Sequence, residues 1–326
     1  MIRDRRRWLL AACGLLGAAM ARAQPAAPIR RIALLWVGAE DSSIYVDALK
    51  ESLRSLGYIE GKNVRIETQF LVDRYEQLPE AAARLAMQRP EIIVSYGTTS
   101  SVAAAKATST IPIVFLVGND PTKFGLALSL SRPGRNATGV SAISPDLHGK
   151  RMELLKQIVP RLRRIGVVYS SQSPNETSSV ASIQKLARDL GMDPLRIDIR
   201  TPRDIEPVIA SVSQQRPDAL LVLPSTMLTA NRTRLAKAIE KTPIPAVYSN
   251  SAVVEAGGLL SYAPSHTDLF RHVAAYVDKV LKGANPADLP IEQASEIELL
   301  INLKTAAAQH IRIPDDLLNR ADRLIR

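Results

Sequence analysis

Residues 94–120, VSYGTTSSVAAAKATSTIPIVFLVGND, are the part of the chain best suited to grip a small polar molecule. An apolar run stops at Gly97. Thr98, Thr99, Ser100 and Ser101 follow, at the start of an alanine-rich helical pattern. A strand end feeding a helix start offers free backbone N–H groups and a partial positive charge. Small hydroxyls add donors there without bulk or charge, which suits a carboxylate or another small anionic group. Plain capping by Thr98 or Thr99 is the alternative, but one hydroxyl suffices for that. The next apolar run ends at Gly118-Asn119-Asp120-Pro121. Asp120 has two readings: an acceptor for a ligand ammonium, or a cap before Pro121.

Similar polar strand ends recur further along. Leu223-Pro224-Ser225-Thr226 and Ser249-Asn250-Ser251 mirror the two loops just described, while Val37-Gly38-Ala39 and Ser170-Ser171-Gln172-Ser173 end the first strand of each half. Gly38, Thr98, Thr99, Asp120, Ser171, Ser225, Thr226, Asn250 and Ser251 are therefore the candidate ligand-binding residues. Trp36 could wall the same cleft, but burial in the strand core fits its position better.

The mirroring has a basis in the chain, which repeats itself. Arg31-Ile32-Ala33-Leu34-Leu35-Trp36 reads like Arg164-Ile165-Gly166-Val167-Val168-Tyr169, and Leu56-Gly57 like Leu190-Gly191. Gln88-Arg89-Pro90-Glu91 matches Gln215-Arg216-Pro217-Asp218, and Thr110-Ile111-Pro112-Ile113-Val114 matches Thr242-Pro243-Ile244-Pro245-Ala246-Val247. Four landmarks in one order at nearly one offset point to duplicated structure. Between them the apolar period alternates between short continuous runs and helical faces such as Val46, Leu49, Leu53 and Leu56. The pattern predicts an α/β fold of two doubly wound, mainly parallel-sheet lobes. The first lobe should take residues 29–140 plus about 264–290, and the second 144–260 plus about 291–326. The tail after residue 260 should cross between them and build a multi-strand hinge. It contains a helix pattern from Leu269 to Val280, a strand-like run Ile297–Ile301 and a last helix through Leu317, Leu318, Ala321, Leu324 and Ile325. In such open sheets ligands sit at the carboxyl ends of the strands, so two facing lobes define a cleft.

Residues 1–23 read as an export leader: arginines at 3, 5, 6 and 7, an apolar stretch Trp8–Met20, and a small-x-small site at Ala21-Arg22-Ala23. Cleavage after Ala23 would place the mature chain in the periplasm. The export route stays open, because Arg5-Arg6-Arg7-Trp8-Leu9-Leu10 loosely matches a twin-arginine signal. Cys13 is the only cysteine and lies in the leader, so the mature chain has no thiol chemistry. The formal charge of +10 is spread along the sequence and reads as a solvated surface rather than a nucleic-acid footprint. The four histidines, at 148, 266, 272 and 310, form no metal-spaced cluster. No phosphate loop, nucleophile elbow or dinucleotide fingerprint is present, so the sequence points to no metal and no cofactor. Some repressors share a two-lobe architecture, but they carry a helix-turn-helix headpiece where this chain has its leader.

Four stretches, ALKESLRSLGYIEGKNVRIETQF, IPIVFLVGNDPTKFGLALSLSRPGRNATGVS, GKRMELLKQIVPRLRRIGVVYS and ELLINLKTAAAQHIRIPDDLLNRADRLI, resemble the ABC-transporter substrate-binding family related to tryptophan/tyrosine uptake binding proteins. The resemblance covers essentially the whole mature chain. It implies a type I periplasmic-binding-protein fold, a non-enzymatic role, a small amino-acid-like solute as ligand and an ABC permease in the inner membrane as partner, with the protein a monomer. It also implies that the Gly97-Thr98-Thr99 loop and Asp120 fall among the cleft residues. The aromatic ligands of some members do not carry over from this sequence: the mature chain has one tryptophan, and no stacking pair can be placed at the cleft. A ligand-sensing module for a membrane receptor and an extracytoplasmic enzyme are the competing functions.

Overall fold

The computed structural model describes residues 29–37, 43–71, 74–142, 146–172, 180–294 and 296–326. The expected leader and Gly38 lie outside the described residues. The first half runs β1 (Arg30–Val37), α1 (Ser43–Ser55), β2 (Val64–Leu71), α2 (Leu78–Met87), β3 (Ile92–Tyr96), α3 (Thr98–Ala107), β4 (Ile113–Val117) and β5 (Ala137–Ser141). The second half runs α4 (Asp146–Ile158), β6 (Arg164–Tyr169), α5 (Val180–Asp189), β7 (Asp193–Asp198), α6 (Ile205–Gln215) and β8 (Ala219–Val222). It continues through α7 (Thr226–Ala230), α8 (Arg232–Glu240), β9 (Ala246–Tyr248), α9 (Ser251–Glu255) and β10 (Leu260–Pro264). The tail adds α10 (His266–Leu281), β11 (Glu292–Gln293), β12 (Ile297–Asn302), α11 (Leu303–Ala308), α12 (Asp315–Asn319) and β13 (Arg323–Ile325).

Two sheets result, with strand orders β11-β5-β4-β3-β1-β2 and β13-β12-β10-β9-β8-β6-β7. All pairings within them are parallel except β10 with β12. This is the doubly wound two-lobe α/β architecture read from the sequence. Helices cover both faces of each sheet, so the central strands are apolar throughout; Ile113–Val117 and Ala219–Val222 are buried along their whole length.

The chain crosses between the sheets three times, after β5, after β10 and after β11. The third crossing comes slightly later than expected. Glu292 and Gln293 still pair with Val140 and Ser141 of the first sheet, although the tail from about 291 had been expected in the second lobe.

The expected last helix is also corrected. Only Asp315–Asn319 is helical; Arg323–Ile325 is an edge strand, with Leu300, Ile301 and Asn302 facing Arg323, Leu324 and Ile325. A short apolar period fits either state, and the free edge of β12 supplies the ladder that decides it.

The repeat extends to individual hydrogen bonds. Arg89 and Arg216 both adopt left-handed backbone, at φ 49° and 50°. Arg31 Nη1 donates to the Gln88 carbonyl at 3.0 Å, and Arg164 Nη1 to the Gln215 carbonyl at 3.0 Å. Glu91 and Asp218 each accept from the backbone N–H of the same arginine, at 3.2 and 2.8 Å. Each Gln-Arg-Pro-acid turn is thus clamped to the start of its lobe's first strand.

Candidate functional site

Strands β3 and β4 of the first sheet and β8 and β9 of the second deliver their carboxyl ends to one cavity of about 620 Å³. The first lobe contributes Tyr96, Gly97, Thr98, Thr99, Asn119 and Asp120. From the second lobe come Pro224, Ser225, Thr226, Thr229, Ser249 and Asn250, and from α4 come Leu147, His148 and Arg151. Residues at the crossings, Ser141, Ala142, Pro264 and Gln293, also line it.

The four hydroxyls after Gly97 divide their work. Ser101 is turned inward: its Oγ donates to the Gly97 carbonyl at 2.8 Å and accepts from Ser95 Oγ at 2.9 Å. Ser100 is buried. Thr98 and Thr99 line the cavity, and Asn119 Nδ2 donates to Thr98 Oγ1 at 3.1 Å. The N-cap of α3 is Gly97 itself, with no side chain capping the helix. Thr98 and Thr99 thus stand in the first turn rather than at the cap position, and the first backbone N–H groups of α3 lie at the cavity end of the helix. Gly97 sits at φ 85°, and a Cβ there would lie 3.1 Å from Thr226 Oγ1 of the other lobe. The left-handed backbone favours glycine here, and a Cβ would in addition press on the Thr226 side chain.

Asp120 is a cap: its Oδ1 accepts from the Thr122 backbone N–H at 3.0 Å and from Thr122 Oγ1 at 2.6 Å. It also lines the cavity. Asn250 caps α9 through Ala252 N–H at 2.9 Å and donates to Thr229 Oγ1 at 3.1 Å. Ser225 Oγ caps α7, accepting from Leu228 N–H at 3.3 Å, while Thr226 lines the cavity beside it. Two candidates fall elsewhere. Ser171 is exposed and fastened to Asp198, by its N–H at 3.0 Å and its Oγ at 2.8 Å; Ser251 is buried in the first turn of α9. Neither lines the cavity.

Trp36 is core, as expected, and it is the centre of an aromatic cluster. Its ring stacks on Tyr96 at 4.3 Å, on Tyr45 at 5.8 Å and on Phe270 at 5.8 Å. The cluster backs Tyr96 at the cleft and holds Tyr45 in the core. Tyr96 lines the cavity, as does Phe124, giving it aromatic surface that the sequence reading did not place there. Tyr45 reaches across to Asn250, with its hydroxyl 3.4 Å from Oδ1 and 3.3 Å from Nδ2. Burial pushes the Tyr45 phenol up to about 12, so it stays protonated at ordinary pH.

Arg151 and His148 are the other residues missed. Arg151 is 3% exposed. Its Nε donates to the Tyr262 carbonyl at 2.8 Å, and its Nη1 lies 3.2 Å from His148 Nδ1. Burial and the neighbouring guanidinium hold the imidazole far below its ordinary range, at about 3. Burial lowers Arg151 to about 9, which leaves it charged at neutral pH. One signal was present in the sequence. Arg151 lies four residues from both Leu147 and Leu155, so a cation occupies a slot on the apolar face of a helix.

A two-lobe α/β molecule with a polar cavity at facing strand ends is the architecture of a solute-binding protein. The family model for ABC transporter substrate binding proteins matches residues 36–325, and the chain belongs to that family. It is 27% identical over 259 residues to the tyrosine-binding protein of Clostridioides difficile strain R20291, covering 79% of this chain and 74% of the relative. A conserved domain protein from Vibrio cholerae superposes with a TM-score of 0.83 at 26% identity, covering 90% of this chain and 99% of that one. The ABC domain in complex with L-Trp from Streptococcus pneumoniae gives 0.80 at 25%, covering 91% and 100%. The first of these relatives is named for binding tyrosine, and the Streptococcus protein holds L-Trp. Among the described residues no helix is long and apolar enough to cross a membrane, and no cluster of three or more His, Cys, Asp or Glu could hold a metal.

Proposed function

We propose that the protein captures an α-amino-acid-type solute in the inter-lobe cavity, without chemical turnover, and delivers it to an ABC permease from the periplasmic side. One observation carries this reading: an uncapped helix start with two threonines and an acidic side chain line the same cavity, giving an anion acceptor and a cation acceptor on adjacent strand ends. Thr98, Thr99 and the first N–H groups of α3 hold the carboxylate. Asp120, whose Oδ1 already serves Thr122, uses its other oxygen with Asn250 to hold the ammonium. Ser225 and Thr226 supply the second lobe's wall, and Tyr96 and Phe124 offer apolar surface to the side chain. Relatives that bind tyrosine and L-Trp support the amino-acid class. Ligand contacts made to both lobes at once bias the hinge towards closure.

A thermal-stability screen of the chain from Gln24, first unfolded and refolded to strip carried-over solute, tests the reading. The panel holds amino acids, small peptides, nucleosides, aromatic acids and sugars. A ligand bound only by the folded state raises the midpoint. Amino acids should raise it; a shift confined to sugars or nucleosides would refute the amino-acid assignment.

A further inference from the structure

The proposed carboxylate and ammonium contacts leave two cations of the cavity wall unused, Lys123, which is exposed, and Arg151, which is buried. Arg151 is nearly fully buried, and its described partners, the Tyr262 carbonyl and the His148 ring, carry no negative charge. A buried cation without an anion is costly unless something neutralises it. The guanidinium has five N–H groups, and these two contacts occupy two. Arginine can only donate, so His148 Nδ1 must accept, which fixes the neutral tautomer with its proton on Nε2. His148 also lines the cavity, so the pair presents donors only. The charged side chains lining the cavity among the described residues are Asp120, Lys123 and Arg151, a net of one positive charge before the helix N-terminus is added. A zwitterionic solute of zero net charge leaves that excess in place.

We infer that Arg151, with His148 beside it, is a second anion-binding point, and that the solute is an amino acid bearing an additional anionic group such as a side-chain carboxylate. This rests on the amino-acid reading above and narrows it. Arg151 is suited to the task because a bidentate guanidinium–carboxylate pair is directional and strong when water is excluded. Its anchorage to Tyr262, two residues before the crossing at Pro264, places the contact beside the hinge, where it forms as the lobes come together.

Matched pairs test this: L-glutamate against L-glutamine, L-aspartate against L-asparagine, and 4-carboxy-L-phenylalanine against L-phenylalanine, titrated calorimetrically into the stripped full mature chain and into Arg151→Met. In at least one pair the acidic member should bind roughly 10- to 100-fold tighter, and Arg151→Met should shrink that ratio to within about twofold. Neutral members binding as tightly as their acids in every pair would overturn the second anion point and leave the amino-acid reading standing. A preference that survives Arg151→Met would overturn the role of Arg151, leaving it a brace for Tyr262. Six compounds that all fail to bind would overturn this inference, while the thermal screen decides the amino-acid reading separately. If Arg151→Met does not fold, Arg151→Lys replaces it: it keeps the charge but loses the fork, so the ratio should fall without vanishing, and an unchanged ratio counts against the proposal.

Discussion

The hydroxyl of Tyr45 lies 3.4 Å from Asn250 Oδ1 and 3.3 Å from Asn250 Nδ2, joining residues 205 apart in sequence and on opposite lobes. Asn250 is fixed by Ala252 and Thr229, and Tyr45 by the stack on Trp36, so each arrives already oriented. The contact bridges the two lobes. Removing it by Tyr45→Phe should leave the ring packing intact and weaken ligand binding by about two- to tenfold, the scale of one net hydrogen bond. Titration calorimetry reads the affinity, and the unliganded melting temperature should stay within a few degrees of wild type.

Replacing Thr98 and Thr99 together by valine keeps shape and removes both hydroxyls. Thr98 is buried against Asn119, so the fold should survive while the site loses its donors. The expected result is a loss of roughly tenfold or more in affinity, with a far-ultraviolet spectrum like wild type.

At Gly97→Ala two penalties combine. The φ of 85° costs an alanine about 1–2 kcal/mol, and its Cβ would sit 3.1 Å from Thr226 Oγ1. The first penalty lowers the melting temperature with or without ligand. The second acts only where the lobes meet, so affinity should fall as well. Thr226→Ala in the same background should recover part of the affinity and none of the stability.

His148 makes stability depend on pH in a defined window. Its folded-state value of about 3 lies below the ordinary 6.5, so the unfolded chain binds a proton that the folded protein refuses. The stability is fully present above pH 6.5 and is lost as pH falls from there towards 3. A His148→Gln variant lacks this term. Between pH 7 and 4, wild type should lose more stability than the variant, a difference of a few kcal/mol at most. Denaturant unfolding at both pH values measures it.

Local features of the sequence account for much of this structure. The polar strand ends at Gly97–Thr99, Gly118–Asp120, Ser225–Thr226 and Asn250 were legible because parallel sheets send every such end to one edge. The duplicated lobes were legible because the Gln-Arg-Pro turns recur with the same clamp to the first strand. What was not legible depended on partners distant in the chain. Ser171 looked like any polar strand end until Asp198 claimed it, and Ser251 until the first turn of α9 buried it. The aromatic surface came from Phe124 and from Tyr96, which Trp36 backs, a consequence of stacking geometry rather than of period. Arg151 was visible only as a cation in an apolar slot between Leu147 and Leu155. The strand Arg323–Ile325 required the open edge of β12, which no local pattern announces.

The most direct test of solute capture through an amino-acid head group is a competition among derivatives of one compound. For the amino acid that gives the largest thermal shift, the affinities of the parent, its α-amide and its N-acetyl form should be compared on the wild-type chain. Loss of the carboxylate charge should disengage Thr98, Thr99 and the start of α3, and loss of the ammonium should disengage Asp120. The account predicts that each derivative binds at least about tenfold more weakly than the parent. An α-amide or N-acetyl derivative that binds as tightly as the parent would contradict it.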